Sequence, residues 1–314
     1  VTLVAILLGA LVVSGVLQAA RWMAAARRQA RRGEGSRPTM FEVLIGAGTN
    51  FFDTLGIGSF ATTTTLYRLL HLVPDELIPG TMIVGHALPV VTQALFFISV
   101  VDVDPWQMTL LIAVCVAGGW VGAGIVARLS RRAVQTGMGC ALLVAATSML
   151  LGLLGLFPAG GAALVFTPGA FVIAVAVNFV LGALVTLGIG NYAPSLITFS
   201  LLGMDPRAAF PIMAGSGAFV ATIAGVRFIS TGRFQHRAAL GLTLGGIPAV
   251  IVAAWLVQSL PLAAVQWLVV VVVIYAAVTL LKAAIHGGRT TDTKGTKGST
   301  GTKSHQGNEV MTAK

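Results

Sequence analysis

Charge is what this chain has least of. Of 314 residues, 10% are Asp, Glu, Lys or Arg, against roughly 25% in a soluble domain, while 56% are hydrophobic. So few charges cannot cover a globular surface, which excludes ordinary soluble enzymes and nucleic-acid modules. Acids are scarcest, and the only glutamates are Glu34, Glu42, Glu76 and Glu309, none deep in an apolar stretch. No Gly-x4-Gly-Lys-[Ser/Thr] loop occurs, so the chain does not itself hydrolyse nucleotide. There is no His-Glu-x-x-His stretch, and Ala214-Gly215-Ser216-Gly217 misses a Gly-x-Ser-Gly frame. Chemistry needs acids, bases or metal ligands that converge, so no catalytic residue, metal or cofactor is expected. The two cysteines, Cys115 and Cys140, lie inside apolar stretches. They read as core thiols and exclude a disulfide scaffold.

What remains is a polytopic, all-α membrane protein. Its net charge of +10 would suggest a polyanionic partner, but the basic residues gather in short connectors and in the tail. They read as topology signals, with the lipid bilayer as partner and no nucleic acid. Val1 to about Met23 is apolar and is followed by Arg21, Arg27, Arg28, Arg31 and Arg32. A secretory signal carries its charge before the apolar run, so 1–23 reads as an anchor with its N-terminus outside, and 24–40 as a basic cytoplasmic linker. The Gly-, Thr-, Lys- and Ser-rich stretch 287–314 has no apolar period and is expected to be a disordered cytoplasmic tail.

An internal repeat organises the rest. Residues 54–87 align without gaps onto 186–219 at an offset of 132, with 11 of 34 identical, mainly Gly, Pro and Leu. The pairs include Leu55-Gly56-Ile57-Gly58 with Leu187-Gly188-Ile189-Gly190, Pro74 with Pro206, Pro79 with Pro211 and Gly85 with Gly217. With small gaps the match extends to Gly118-Gly119 against Gly245-Gly246. The two units are 41–156 and 170–286, joined by an outer linker, 157–169.

Each unit opens with an apolar stretch broken at its Gly-Ile-Gly. An arm of about 14 residues is roughly 21 Å of helix, short of the ~30 Å hydrocarbon core. Two arrangements fit: one long broken span, or a re-entrant hairpin that enters and leaves on one side. Positive charge favours the second. If both are hairpins, nineteen of the 20 Lys and Arg lie inside and only Arg207 outside; if both cross, the split is fifteen to five. Each unit then adds three full crossings (about 80–101, 106–127 and 134–156, then 209–230, 237–258 and 263–285), an odd number, so the second copy is inverted. The expected fold is two inverted repeats, each a broken helical hairpin plus three transmembrane helices, after an extra N-terminal helix. Inverted repeats with interrupted helices are characteristic of transporters.

Unwinding a helix in lipid frees backbone polar groups, which is tolerated where protein or an aqueous cavity receives them. The arms that begin at Ser59 and Asn191 would aim helix N-termini at such a cavity, a geometry that favours an anion. The bland alternative is close helix packing at Gly-x-Gly. Hydroxyls and amides crowd both breaks: Asn50, Thr54, Ser59, Thr62 and Thr63 about the first, with Gly56 and Gly58; Thr186, Asn191, Tyr192 and Ser195 about the second, with Gly188 and Gly190. Any single Thr can simply bond its own helix. Ser216 stands in the second copy beside Gly217, the mate of Gly85. Asp53, inside an apolar run, is a candidate for a coupling proton or cation, or equally a cap for the broken helix. His86 is a second proton candidate, against the plainer reading of a hydrogen-bond partner.

These residues resemble the sulfite exporter TauE/SafE family. The likeness covers about 41–286 and rests on the two Leu-Gly-Ile-Gly turns, on Pro194, on Leu202-Gly203-Met204, and on Ala208-Ala209-Phe210-Pro211 with Gly215-Ser216. It implies an inner-membrane secondary carrier, in the export direction, for small anions such as sulfite or an organosulfonate. Two departures stand out: Ser59 and Asn191 replace a frequent third glycine, and Thr62 replaces a proline that the second copy keeps as Pro194. An anion channel and a membrane-embedded enzyme are the competing classes. Substrate, transport direction, coupling ion and homo-oligomerisation are left open by the sequence.

Overall fold

A computed structural model describes residues 2–31, 37–56, 58–74, 76–126, 161–185 and 191–261, with scattered positions in 136–154 and 264–285. The described residues form nine helices: α1 Thr2–Arg31, α2 Met40–Thr54, α3 Ser59–Leu69, α4 Ile78–Val100, α5 Pro105–Val126, α6 Pro168–Val185, α7 Tyr192–Leu201, α8 Pro206–Thr231 and α9 His236–Ser259. Five of them (α1, α4, α6, α8 and α9) are long and apolar enough to cross a bilayer. The tail and the segment 127–135 lie outside the described residues. α1 continues past Met23 because the Ala- and Arg-rich stretch behind the apolar run propagates helix well.

α4 and α8 form the central pair. About 61% of each spanning window is buried, against 22% in α1, which lies against the outside of the pair. Phe97 and Phe210 meet at their interface with ring centroids 5.0 Å apart. Outside this core the bundle keeps a large apolar surface. Val12, Val13, Val16, Trp106, Trp120 and Trp255 are all exposed, as suits helices facing acyl chains with tryptophans towards the interfaces.

Two further pairings flank the centre, α2 against α9 and α6 against α5. Glycine makes both close. A Cβ at Gly245 would overlap the Val43 carbonyl oxygen, and one at Gly118 would overlap that of Phe179. Gly118 and Gly245 are aligned positions of the repeat, so one packing solution occurs twice.

Hydrogen bonds fix which helix ends share a face of the bundle. At the start of α9, Arg237 Nε bonds Glu42 Oε1 at 2.9 Å and Ala238 O accepts from the Tyr67 hydroxyl at 3.3 Å. Gln235 N donates to Thr81 Oγ1 at 2.9 Å, and Trp22 Nε1 donates to His236 Nδ1 at 2.7 Å. The start of α2, the end of α3, the start of α4 and the end of α1 therefore lie together. The chain enters at α2 and leaves at α3 on one face. At the far end of α4, the segment 161–167 does the same for the other broken segment. Ala163 N bonds Gly203 O and Ala163 O accepts from Asp205 N, beyond α7. Phe166, just before α6, exchanges two bonds with the Gln107 side chain at the start of α5. The start of α6 and the end of α7 thus also share a face, the one where α5 begins.

Candidate functional site

The first break is sharp and local. α2 ends at Thr54 and α3 begins at Ser59. Gly56 (φ 100°) and Gly58 (φ 85°) both take left-handed backbone, which glycine adopts without steric cost. Gly58 occupies the N-cap of α3 but has no side chain to cap it. Asp53 does so from across the turn: its Oδ1 accepts from Ser59 N at 2.6 Å, with Asp53 3% exposed. A carboxylate on a helix N-terminus is stabilising. The site expected to receive an anion at α3 is therefore already occupied by an anion of the protein.

The polar side chains around this turn divide into two groups. Thr54 Oγ1 donates back to Asn50 O and Thr62 Oγ1 to Ser59 O, each at 2.9 Å, within or beside their own helices. Asn50 and Thr63 instead hold His86 between them, at 3.0 Å on Nδ1 and 3.0 Å on Nε2 respectively. Asn50 Nδ2 donates to Gly46 O at 2.7 Å, which orients the amide so that Oδ1 faces the ring. His86 Nδ1 then donates, and in the neutral ring Nε2 accepts from the Thr63 hydroxyl. His86 on α4 thereby ties both arms of the first hairpin to the central pair.

Thr186, Gly188 and Gly190 lie outside the described residues, so the second turn is seen from its far side, where α7 begins. Asn191 has no capping bond, and its Nδ2 is buried without a hydrogen-bond partner. The same is true of Ser195 Oγ one turn later; the Ser216 hydroxyl on α8 instead faces the Cys115 thiol, and that of Ser59 in the first copy faces the Asp53 carboxylate. Ser195 and Ser216 are 0% exposed, Ser59 1% and Asn191 4%.

Tyr192 brings these groups to one neighbourhood. Its hydroxyl donates to Gln93 Oε1 at 3.3 Å. Its ring lies over Gly217, next to Ser216. It also comes within electrostatic reach of Asp53, the residue that caps Ser59. The start of α7 and the first break, far apart in sequence, thus lie close together beside the central helices.

Gln93 was not among the residues singled out from sequence. Because Oε1 takes the Tyr192 hydroxyl, its orphan is Nε2, again a donor. The signal was available: Gln93 is a lone amide in a long apolar run, and such residues in spans find partners or bind something. Asn178 carries the same signal, but it donates to Leu111 O at 2.7 Å and joins α6 to α5. Among the described residues no three His, Cys, Asp or Glu side chains gather as metal ligands.

Comparison of the chain with protein-family models, with curated proteins and with solved structures finds no match in any of the three.

Proposed function

We propose that the chain is a secondary membrane carrier for a small anion, working by alternating access between two inverted repeats, in the export direction. The observation that carries this reading is the pair of re-entrant hairpins. One opens on the face where α4 and α9 begin, the other where α5 begins, and the start of α7 lies near the first tip beside α4 and α8. Such an arrangement places broken helices near mid-depth between two pseudo-symmetric halves, where transporter sites are built. The duplicated glycine packing of α2 on α9 and α6 on α5 supports the pseudo-symmetry. The face that gathers Arg21, Arg27, Arg28, Arg37, Arg227, Arg233 and Arg237 reads as the inner one of a plasma membrane. On that reading the N-terminus lies outside, and the tail expected in the cytoplasm falls outside the described residues.

The donor chemistry supports an anion. Three buried donors without partners, on Asn191, Ser195 and Gln93, stand about the start of α7, and burying an unsatisfied polar group costs about 1–3 kcal/mol, so a ligand rich in acceptor oxygens suits them. Sulfite or an organosulfonate is the reading suggested by the TauE/SafE-like landmarks, which rest on sequence motifs alone. Coupling falls to Asp53, the buried carboxylate at the first tip, with His86 as a structural tie.

Uptake of labelled sulfite, sulfoacetate and a small carboxylate into proteoliposomes, with and without a pH gradient, tests this. A carrier gives saturable uptake of at least one anion and counterflow against preloaded substrate. Downhill flux without counterflow would make it a channel, and no uptake by folded, inserted protein would overturn the proposal.

A further inference from the structure

The two copies of the repeat are not chemically equivalent at their tips. In the first copy the polar groups satisfy one another: Asp53 caps α3, and Asn50, His86 and Thr63 form a closed set. At the offset of 132, the second copy has Val185 for Asp53, Gly182 for Asn50 and Ala218 for His86. Only Ser195 survives, as the mate of Thr63, and the histidine that would have paired with it is gone. Asn191, the mate of Ser59, stands at the start of α7 with its amide nitrogen unpaired and no carboxylate across the turn.

We infer that the substrate site is asymmetric: a singly charged oxyanion is held at the start of α7 by Asn191 and Ser195, with Gln93 reaching in from the first copy. This deepens the carrier reading and rests on it. Three observations support it. The start of α7 has no side-chain cap and keeps its partial positive charge, whereas the start of α3 is neutralised by Asp53. The side chains concerned are buried and unpartnered, and the orphan atoms on Asn191 and Gln93 are amide nitrogens, which donate and never accept. Finally, the residues that assemble the site, Asn191, Ser195, Gln93 and the Tyr192 that links them, include no cation, while Asp53 adds negative charge within reach of Tyr192. Neutral donors can replace the hydration of a monoanion. A dianion would need a counter-charge to offset its larger desolvation cost. Ser59, whose hydroxyl faces the Asp53 carboxylate, stands at the margin.

The test uses the full chain in detergent, with methanesulfonate as the monoanion and sulfate as the dianion, and reads the melting midpoint against ligand concentration. Methanesulfonate should raise the midpoint saturably, with sulfate at least tenfold weaker. Asn191→Leu and Ser195→Ala should each weaken methanesulfonate at least tenfold, and Ser59→Ala less than threefold. Asp53→Asn, which removes the adjacent negative charge, should narrow the preference over sulfate. Each variant's midpoint without ligand reports its folding, and Ser195→Ala covers the case in which Asn191→Leu does not fold. Equal losses at Ser59 and Asn191, a preference for sulfate, or no shift with methanesulfonate would overturn the inference. Binding with the expected pattern in protein that transports nothing would instead refute the carrier reading and leave the site standing.

Discussion

Replacing Asp53 separates its two roles. Its carboxylate accepts from Ser59 N at 2.6 Å, and Gly58 at the N-cap offers no alternative acceptor. Ser59 is 1% exposed, so water does not readily take over. Asp53→Ala therefore leaves a buried N–H unsatisfied, which costs about 1–3 kcal/mol. Asp53→Asn keeps an acceptor in place and loses only the charge assistance, worth about 1 kcal/mol as the difference between charged and neutral hydrogen bonds. The stability order is wild type, then Asn, then Ala, with each step on the order of a fivefold change in the folded-to-unfolded ratio. Chemical denaturation in mixed micelles reads this order directly. In proteoliposomes Asp53→Asn should keep downhill anion exchange while losing its response to a pH gradient. An alanine variant as stable as wild type would refute the cap, and gradient-driven uptake that survives in Asp53→Asn would remove Asp53 from coupling.

Three further outcomes follow from the packing. Gly118→Ala and Gly245→Ala each push a methyl into a backbone carbonyl, so each should destabilise by about 1–3 kcal/mol; a thermal scan showing only one of them affected would break the equivalence of the two interfaces. Arg237→Ala removes the partner of a fully buried Glu42, but Thr39 N still donates to that carboxylate at 2.7 Å and Arg237 is itself partly exposed. The cost should be about 1–3 kcal/mol, below the 3–5 of a fully buried pair, and Glu42→Gln should partly rescue it in the double variant. His86→Ala breaks the tie between the two arms of the first hairpin, so it should lower the melting midpoint yet leave the pH-gradient dependence of uptake intact; loss of that dependence would make His86 a coupling residue.

Much of the architecture was legible because membrane constraints leave strong marks. Charge-free runs gave the spans, and α4, α5, α8 and α9 lie within three residues of the boundaries expected at each end. Gly-Ile-Gly marked the first break because only glycine takes the backbone of Gly56 and Gly58 without strain. The counting of Lys and Arg pointed to hairpins; in the fold, the bonds from Glu42 and Tyr67 bring both ends of the first broken segment to the start of α9. What the pattern did not carry was which polar groups spend their bonds on each other. Asn50, Thr63 and His86 are scattered in sequence, and only folding shows that they pair. Gln93 gives the converse case: nothing local says that its carbonyl is taken by Tyr192 while its nitrogen is left over. Thr62 and Thr54 looked like site residues by position, but in a helix a threonine hydroxyl readily bonds the carbonyl one turn back.

The proposed alternating access needs both broken segments to enter and leave on one side, and to open on opposite sides. Side-specific thiol labelling in oriented vesicles tests it, with Cys115 and Cys140 first replaced by alanine. Single cysteines at Arg37 and Glu76 bracket the first hairpin, and at Ala162 and Arg207 the second. The account requires Arg37→Cys and Glu76→Cys to react with an impermeant maleimide from the same side, and Ala162→Cys and Arg207→Cys to react only from the other. Labelling of Arg37→Cys and Glu76→Cys from opposite sides would make the first segment a full crossing and contradict the account.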